Sequence, residues 1–190
     1  MPKLIDQAQV FEAVIDLFVS RGYEGATTKE IARLAGVNEA TLFRKFNSKA
    51  ELFEQAINHE WSDVPLSKLA HTGDLEADLL AIVNAYLETN RLHGAIVPML
   101  LAELSRSRDL EGAFDVAWGN IRIVAEIITL YQSEGALQAE DPLATLNALI
   151  GPLMTAHMFR RARLDHPVPE IDIDLHVRGF LHGRTPTIAR

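Results

Sequence analysis

Three helix-start signals crowd into the stretch TTKEIARLAGVNEATLFRKFNSK, residues 27–49. Thr27 is followed three places on by Glu30, the spacing of a capping box, so a helix is expected from Thr28. Ile31, Ala32 and Ala35 form its apolar stripe, and Gly36 stands where a left-handed residue ends such a helix. Asn38 is a good N-cap for a second short helix, in which Leu42 and Phe46 lie one turn apart and turn inward. Ser48 and Glu51 repeat the capping-box spacing and open a third helix, anchored by Leu52, Phe53 and Ile57. A short helix, a glycine turn and a second short helix make a helix-turn-helix. Its second helix leaves Glu39, Ala40, Thr41, Phe43, Arg44 and Lys45 outward, a geometry suited to a DNA major groove.

The longer run GYEGATTKEIARLAGVNEATLFRKFNSKAELFEQAI, Gly22 to Ile57, resembles the TetR-type (TetR/AcrR-like) transcriptional regulators almost position by position. A preceding helix, roughly Leu4 to Arg21 with Phe11, Val14, Ile15 and Phe18 at helical spacing, is similar to that family's first helix. The resemblance covers about the first 60 residues; beyond them only the general helical layout is similar. It implies a DNA-binding domain over residues 1–60, a ligand-binding and dimerisation domain over 61–190, and a repressor released by an effector. It also implies that Lys49 contacts a phosphate. Phe43 departs from the family's usual tyrosine, whose hydroxyl contacts a phosphate.

Charge bears on this in two ways. The chain carries a net charge of −8, whereas nucleic-acid binders are usually basic. Between Thr27 and Lys49, however, Lys29, Arg33, Arg44, Lys45 and Lys49 outnumber Glu30 and Glu39, a local +3 against −11 elsewhere. Phosphates are felt within a Debye length of about 8 Å, so the local charge governs docking and the acidic remainder keeps the molecule oriented. Within the motif, Thr41 can bond a base or touch a thymine methyl, and Ala40 offers apolar contact. Glu39 can accept from cytosine N4, or serve as a first-turn acid favoured by the helix dipole. Arg44 and Lys45 suit bases or phosphates. Thr27 and Thr28, with Lys29 beside them, put hydroxyl and N–H groups at a helix start, a ready phosphate site.

After His59 the pattern stays helical and no strand alternation occurs, so the fold is expected to be all-α. Residues 61–73 read as a connector. Asp74 caps a helix to about Leu92, stopped by Gly94; another begins near Pro98; Asp109 opens a long one ending at Gly135. Asp141-Pro142 starts a helix ending near Leu164, Asp165 to Ile171 is a loop, and Asp172 caps a last helix before a frayed tail from Gly183. In the Pro142 helix, Leu143, Leu146, Leu149, Ile150, Leu153, Met154 and Met158 cover too wide an arc for a surface helix. One face can pack on the chain's own core while another meets a second copy, and the resemblance implies that the last two large helices form a four-helix dimer interface. A homodimer would read a palindromic operator on double-stranded DNA, with half-sites about 34–36 Å apart or a multiple of that.

Tyr86, Met99, Phe114, Trp118, Met154, His157 and Met158 are large, adaptable residues on helices expected to face one another, and are the candidates for an apolar or aromatic effector site. Pro152 removes a backbone donor and frees the carbonyl of Ala148, which can kink the helix. No Walker, Gly-x-Ser-x-Gly or HExxH motif occurs and there are no cysteines, so no enzyme, metal site or cofactor is expected. The amino-terminal stretch lacks the apolar run of a signal peptide, and no window reaches a membrane span, so a cytoplasmic protein without membrane contact is expected. Two other readings stay open: an adaptor or coactivator of the same fold that acts through a protein partner instead of DNA, and, disfavoured by the lack of a catalytic constellation, a small-molecule-binding enzyme.

Overall fold

The computed structural model describes residues 6–163, 165 and 167–184, and among these it is helical with no strand. The helices are α1 (Gln7–Gly25), α2 (Thr28–Leu34), α3 (Glu39–Phe46), α4 (Lys49–Ser62), α5 (Leu75–His93), α6 (Ile96–Leu104), α7 (Asp115–Ser133), α8 (Pro142–Arg161) and α9 (Ile173–Arg184). Tight 3-10 turns occupy Pro65–Lys68 and Glu111–Phe114. The chain forms two compact units. The first holds residues up to Val64 together with Asn90–Gly119; the second holds Pro65–Thr89 and the chain from Asn120 onward.

In the first unit α1 buries Val10, Phe11, Val14, Leu17 and Phe18 along one stripe. Asp6 caps it by accepting from Ala8 N at 3.1 Å. Gly22 then leaves helical geometry at φ 73°, ψ 177°, so the regular helix stops at Arg21 as its sequence suggests. This break turns Tyr23 into the core, where its ring meets Phe53 edge-on at 4.9 Å. Trp61, expected in a connector, instead belongs to the last turn of α4 and is buried with its ring 6.0 Å from His93. The long helix expected from Asp109 also starts later. The chain first tightens through i→i+3 bonds, Glu111 N to Arg108 O and Ala113 N to Leu110 O, and only then enters α7 at Asp115.

The second unit is organised by aliphatic side chains from α5, α7, α8 and α9, among them Leu79, Ile82, Val124, Ile128, Leu149, Leu153, Val177 and Phe180. The caps read from sequence are present: Asp74 accepts from Ala77 N at 3.1 Å, Asp141 from Leu143 N at 2.8 Å, and Asp172 from Leu175 N at 2.9 Å. Helix α8 ends at Arg161, with Arg163 at φ 49°; the expected end at Leu164 lies outside the described residues. Helix α9 runs past Gly183 to Arg184, and the expected frayed tail beyond it is likewise outside them. Pro152 does not divide α8. One residue past the Ala148 carbonyl that Pro152 leaves without its helical donor, the Leu149 carbonyl pairs with Nε2 of His176 on α9 at 2.7 Å and joins the two helices. Among the described residues no helix is long and apolar enough to cross a membrane, and no cluster of three or more His, Asp or Glu is arranged to hold a metal ion.

One polar group is set deep in this second core. Asp78, 4% exposed, accepts from Thr72 N at 2.8 Å, the Thr72 hydroxyl at 2.7 Å and the Tyr131 hydroxyl at 2.5 Å. Burial alone would raise its pKa; the hydrogen bonds from Thr72 and Tyr131 and the nearby His71 outweigh that and hold it below the usual carboxylate range. Tyr131 is pushed up to about 12, chiefly by burial and then by Asp78. Three donors on one buried carboxylate tie the segment before α5 to α7. Because the folded pKa is lowered, this stabilisation is complete above about pH 4 and is lost as pH falls through the depressed value. Tyr131→Phe should cost about 1.5–3 kcal/mol in urea unfolding at pH 7. Asp78→Asn should also destabilise and should flatten the acid limb of a stability-against-pH curve.

Candidate nucleic-acid interface

The motif of residues 27–49 is assembled by the bonds its sequence announces, with instructive exceptions. Thr27 Oγ1 accepts from Glu30 N at 3.2 Å, Asn38 Oδ1 from Ala40 N at 2.9 Å, and Ser48 Oγ from Glu51 N at 3.0 Å. The return half of each capping box is not made. Glu30 instead pairs with Arg21 at 2.7 Å, while Glu51 accepts from Asn47 and Gln55. The N–H of Ser48 goes to Phe46 O at 2.6 Å, so the carboxylate of Glu51 is left for other partners. Gly36 sits at φ 64°, and Val37 N closes back on Ala32 O at 2.9 Å, the glycine-terminated helix end that the sequence implies. Helix α3 ends differently, at Asn47 with φ 58° and ψ −44°, its N–H still on Phe43 O and the next N–H turned back to Phe46 O.

Helix α3 is held from one side only. Leu42 and Phe46 are each 1% exposed, and the Phe46 ring lies 5.9 Å from Phe11 of α1. On the other side Ala40, Phe43, Arg44 and Lys45 are exposed and Thr41 is half-buried. Phe43 is 45% exposed, an unusual position for an aromatic ring facing water. Lys29, Arg33 and Arg44 are exposed and have no carboxylate partner among the described residues, so their charge is available to an anion. Lys45 donates to Gln7 Oε1 at 2.8 Å, which ties it to the start of α1. Lys49 lies with its ammonium 4.3 Å from the Tyr23 ring centre and 5.7 Å from that of Phe53. These rings fix the lysine stem without neutralising its charge. Neither Gln7 nor Tyr23 stood out in the sequence, because each meets its cation only through tertiary packing.

Two expected site residues are committed to each other. The Thr28 hydroxyl donates to Glu39 Oε1 at 2.6 Å, bridging the starts of α2 and α3. The hydroxyl proton expected at the phosphate site is therefore spent on Glu39.

A second unanticipated contact holds the far end of α4. Gly112 N donates to Glu54 Oε1 at 2.9 Å, Asn58 Nδ2 donates to Gly112 O at 2.8 Å, and Val116 N donates to Asn58 Oδ1 at 3.2 Å. A Cβ on Gly112 would lie 2.8 Å from Glu54 Oε1, so a side chain there would push the Glu54 carboxylate out of its present position.

The seven expected effector residues are distributed over both units. Met99, Phe114 and Trp118 belong to the first, where the last two rings lie 6.3 Å apart. Tyr86, Met154, His157 and Met158 belong to the second, where the Tyr86 and His157 rings are also 6.3 Å apart. His157 Nδ1 is buried without a hydrogen-bond partner. Burial, then Arg160 and Arg161, lower its pKa, so the ring is neutral at pH 7. Burial pushes Tyr86 up to about 12. Met154 and Met158 are 46% and 50% exposed. Two clefts in the first unit, of about 370 and 280 Å³, share Ile15, Asp16 and Glu60 in their walls, and none of the seven lines either.

A three-helix head with an outward, cation-bearing second helix of a helix-turn-helix defines a class, and comparison with known proteins agrees. Residues 10–56 match the model for bacterial regulatory proteins of the tetR family, and residues 69–174 match that for the tetracyclin repressor-like C-terminal domain. The chain belongs to the TetR family. It is 34% identical over 102 residues to the HTH-type transcriptional regulator YvkB of Bacillus subtilis (strain 168), a match covering 54% of each chain. It is 36% identical over 55 residues to the biofilm operon icaADBC negative transcriptional regulator IcaR of Staphylococcus aureus (strain Newman), covering 29% of this chain and 26% of IcaR. The chain thus spans about half the length of the first of these relatives and a quarter of the second. Among solved structures, the flavonoid-responsive regulator FrrA shares the fold with a TM-score of 0.72 at 24% identity, covering 95% of this chain and 97% of FrrA. A transcriptional regulator from Rhodococcus sp. Rha1 shares it with a TM-score of 0.71 at 16% identity, covering 96% of this chain and 99% of that one.

Asn58 is the part of this assembly whose removal is easiest to read. Asn58→Ala should cost roughly 1–3 kcal/mol by leaving Val116 N and Gly112 O short of a partner. Hydrogen exchange at the Val116 amide should accelerate, while the amides of α2 and α3 keep their protection.

Proposed function

We propose that this protein is a sequence-specific DNA-binding transcriptional regulator, acting in the cytoplasm as a homodimer on a palindromic operator and released by a small apolar or aromatic effector. One observation carries the reading: α3 is seated by Leu42 and Phe46 and presents Ala40, Thr41, Phe43, Arg44 and Lys45 outward. Thr27, Thr28, Lys29, Asn38, Glu39 and Lys49 frame that surface. Residues 1–60 read the DNA, and residues 61–190 bind the effector and the second copy. Repression is the favoured direction, supported by a relative whose name makes it a negative regulator.

Dimerisation is supported by the division of α8 into two faces. Leu149 and Leu153 are buried in the core of their own unit, while Met154, Met158 and Phe159 are about half exposed. Leu175 on α9 is 63% exposed. Apolar side chains left in water on the last two helices suit a four-helix interface with a second copy.

Effector release works through α4. It begins at Lys49 beside the DNA-reading helix and is grasped further on, at Glu54 and Asn58, by the backbone of residues 112 and 116. An effector whose binding moves the 112–116 segment drags α4, and the paired α3 helices lose the spacing of successive major grooves. A coupling of about 1–3 kcal/mol is enough to change affinity roughly 5- to 150-fold.

A gel shift against the DNA flanking its own gene tests the reading, and no shift at low salt would favour the adaptor alternative. Lys49→Ala should weaken binding to all sequences alike and reduce the slope of log K against log salt by about 1. An unchanged slope would remove Lys49 from the phosphate contacts.

A further inference from the structure

We propose that Glu39 and Thr28 form a preset base-reading pair that selects cytosine at one position of each operator half-site; the proposal rests on the DNA-binding reading above. The Thr28 hydroxyl lies 2.6 Å from Glu39 Oε1, a charge-assisted bond that joins the first residue of α2 to the first residue of α3. It has two consequences. The glutamate is held in one rotamer, so the entropy of ordering it is lost on folding and not on DNA binding. And with one site of Oε1 used, Oε2 is left wholly open as an acceptor, with no other hydrogen-bond partner for Glu39 among the described residues.

The chemistry of that remaining oxygen restricts what it can read. A carboxylate oxygen only accepts, so in a major groove it needs an exocyclic amine, cytosine N4 or adenine N6. The acceptors of guanine (N7, O6) and thymine (O4) repel it. On adenine the amine is flanked by two acceptors, its own N7 and thymine O4, whereas cytosine N4 has only the paired guanine O6 beside it, its own ring offering C5–H on the other side. Cytosine is therefore the favoured base. Position supports this: Glu39 precedes exposed Ala40 in the first turn of α3, the part of a recognition helix that reaches base edges. A negative charge in the same motif as Lys29, Arg33 and Arg44 also weakens binding to unspecific phosphate, so the residue sharpens discrimination at the expense of raw affinity.

Thr28 is a positioning residue here and Glu39 the reading one. The test is selection of bound fragments from random DNA with full-length wild type, Glu39→Gln and Thr28→Val, each checked for folding by circular dichroism. Wild type should enrich a palindrome with cytosine at one symmetric position, preferred over other bases by ~5-fold or more. Glutamine can bond adenine N6 and N7 together, so Glu39→Gln should move that position from cytosine to adenine and leave the others alone. Thr28→Val should blur the cytosine preference without installing another. If wild type and Glu39→Gln enrich the same palindrome, this pair is only a structural link between two helices, and the DNA-binding reading stands. If wild type enriches nothing, both fall together.

Discussion

Everything outward on α3 depends on what is inward. Leu42 and Phe46 are almost fully buried, and burial of two such side chains contributes on the order of 3–6 kcal/mol before ordering costs. An eight-residue helix has too few internal hydrogen bonds to persist by itself, so its existence is a tertiary effect. The Phe46 ring against Phe11, the left-handed Gly36 before it and the left-handed Asn47 after it leave little freedom of rotation. The DNA-reading role proposed for α3 benefits from this hold, because residual motion would be frozen out at the cost of affinity.

Charge placement follows the same logic of local arrangement over global sum. The net of −8 describes a chain that phosphate as a whole would repel, yet residues 27–49 carry a local +3. Glu30 is paired with Arg21, while Glu39 keeps its charge and is oriented by the Thr28 hydroxyl. Lys49 rests on the Tyr23 and Phe53 rings, which orient an ammonium without cancelling it. Steering by such a patch acts within a Debye length and falls with salt.

Buried polar groups in the second unit mark two different uses of the interior. Asp78 is saturated by three donors and ties secondary elements together, as a fully satisfied network does. His157 has a buried Nδ1 without a partner and a lowered pKa, beside the ring of Tyr86. An unsatisfied buried nitrogen costs stability in the absence of something to bond it, and so stands apart from the saturated core around Asp78.

The sequence alone determined the helical class, the caps at Thr27, Asn38, Ser48, Asp74, Asp141 and Asp172, the glycine end at Gly36, and the inward pair Leu42 and Phe46. All of these are written in spacings of three or four residues, where helix geometry leaves one outcome. The late start of α7, Trp61 inside α4 and the true partners of Glu30 and Glu51 were not legible, since each depends on which neighbour arrives first at a shared donor or surface. Tertiary structure alone decided the long-range bonds: Thr28 with Glu39, Lys45 with Gln7, and Glu54 and Asn58 with Gly112 and Val116. Periodicity shows which face of a helix turns inward but carries no information on which other helix it meets, and that meeting is what turns single side chains into pairs.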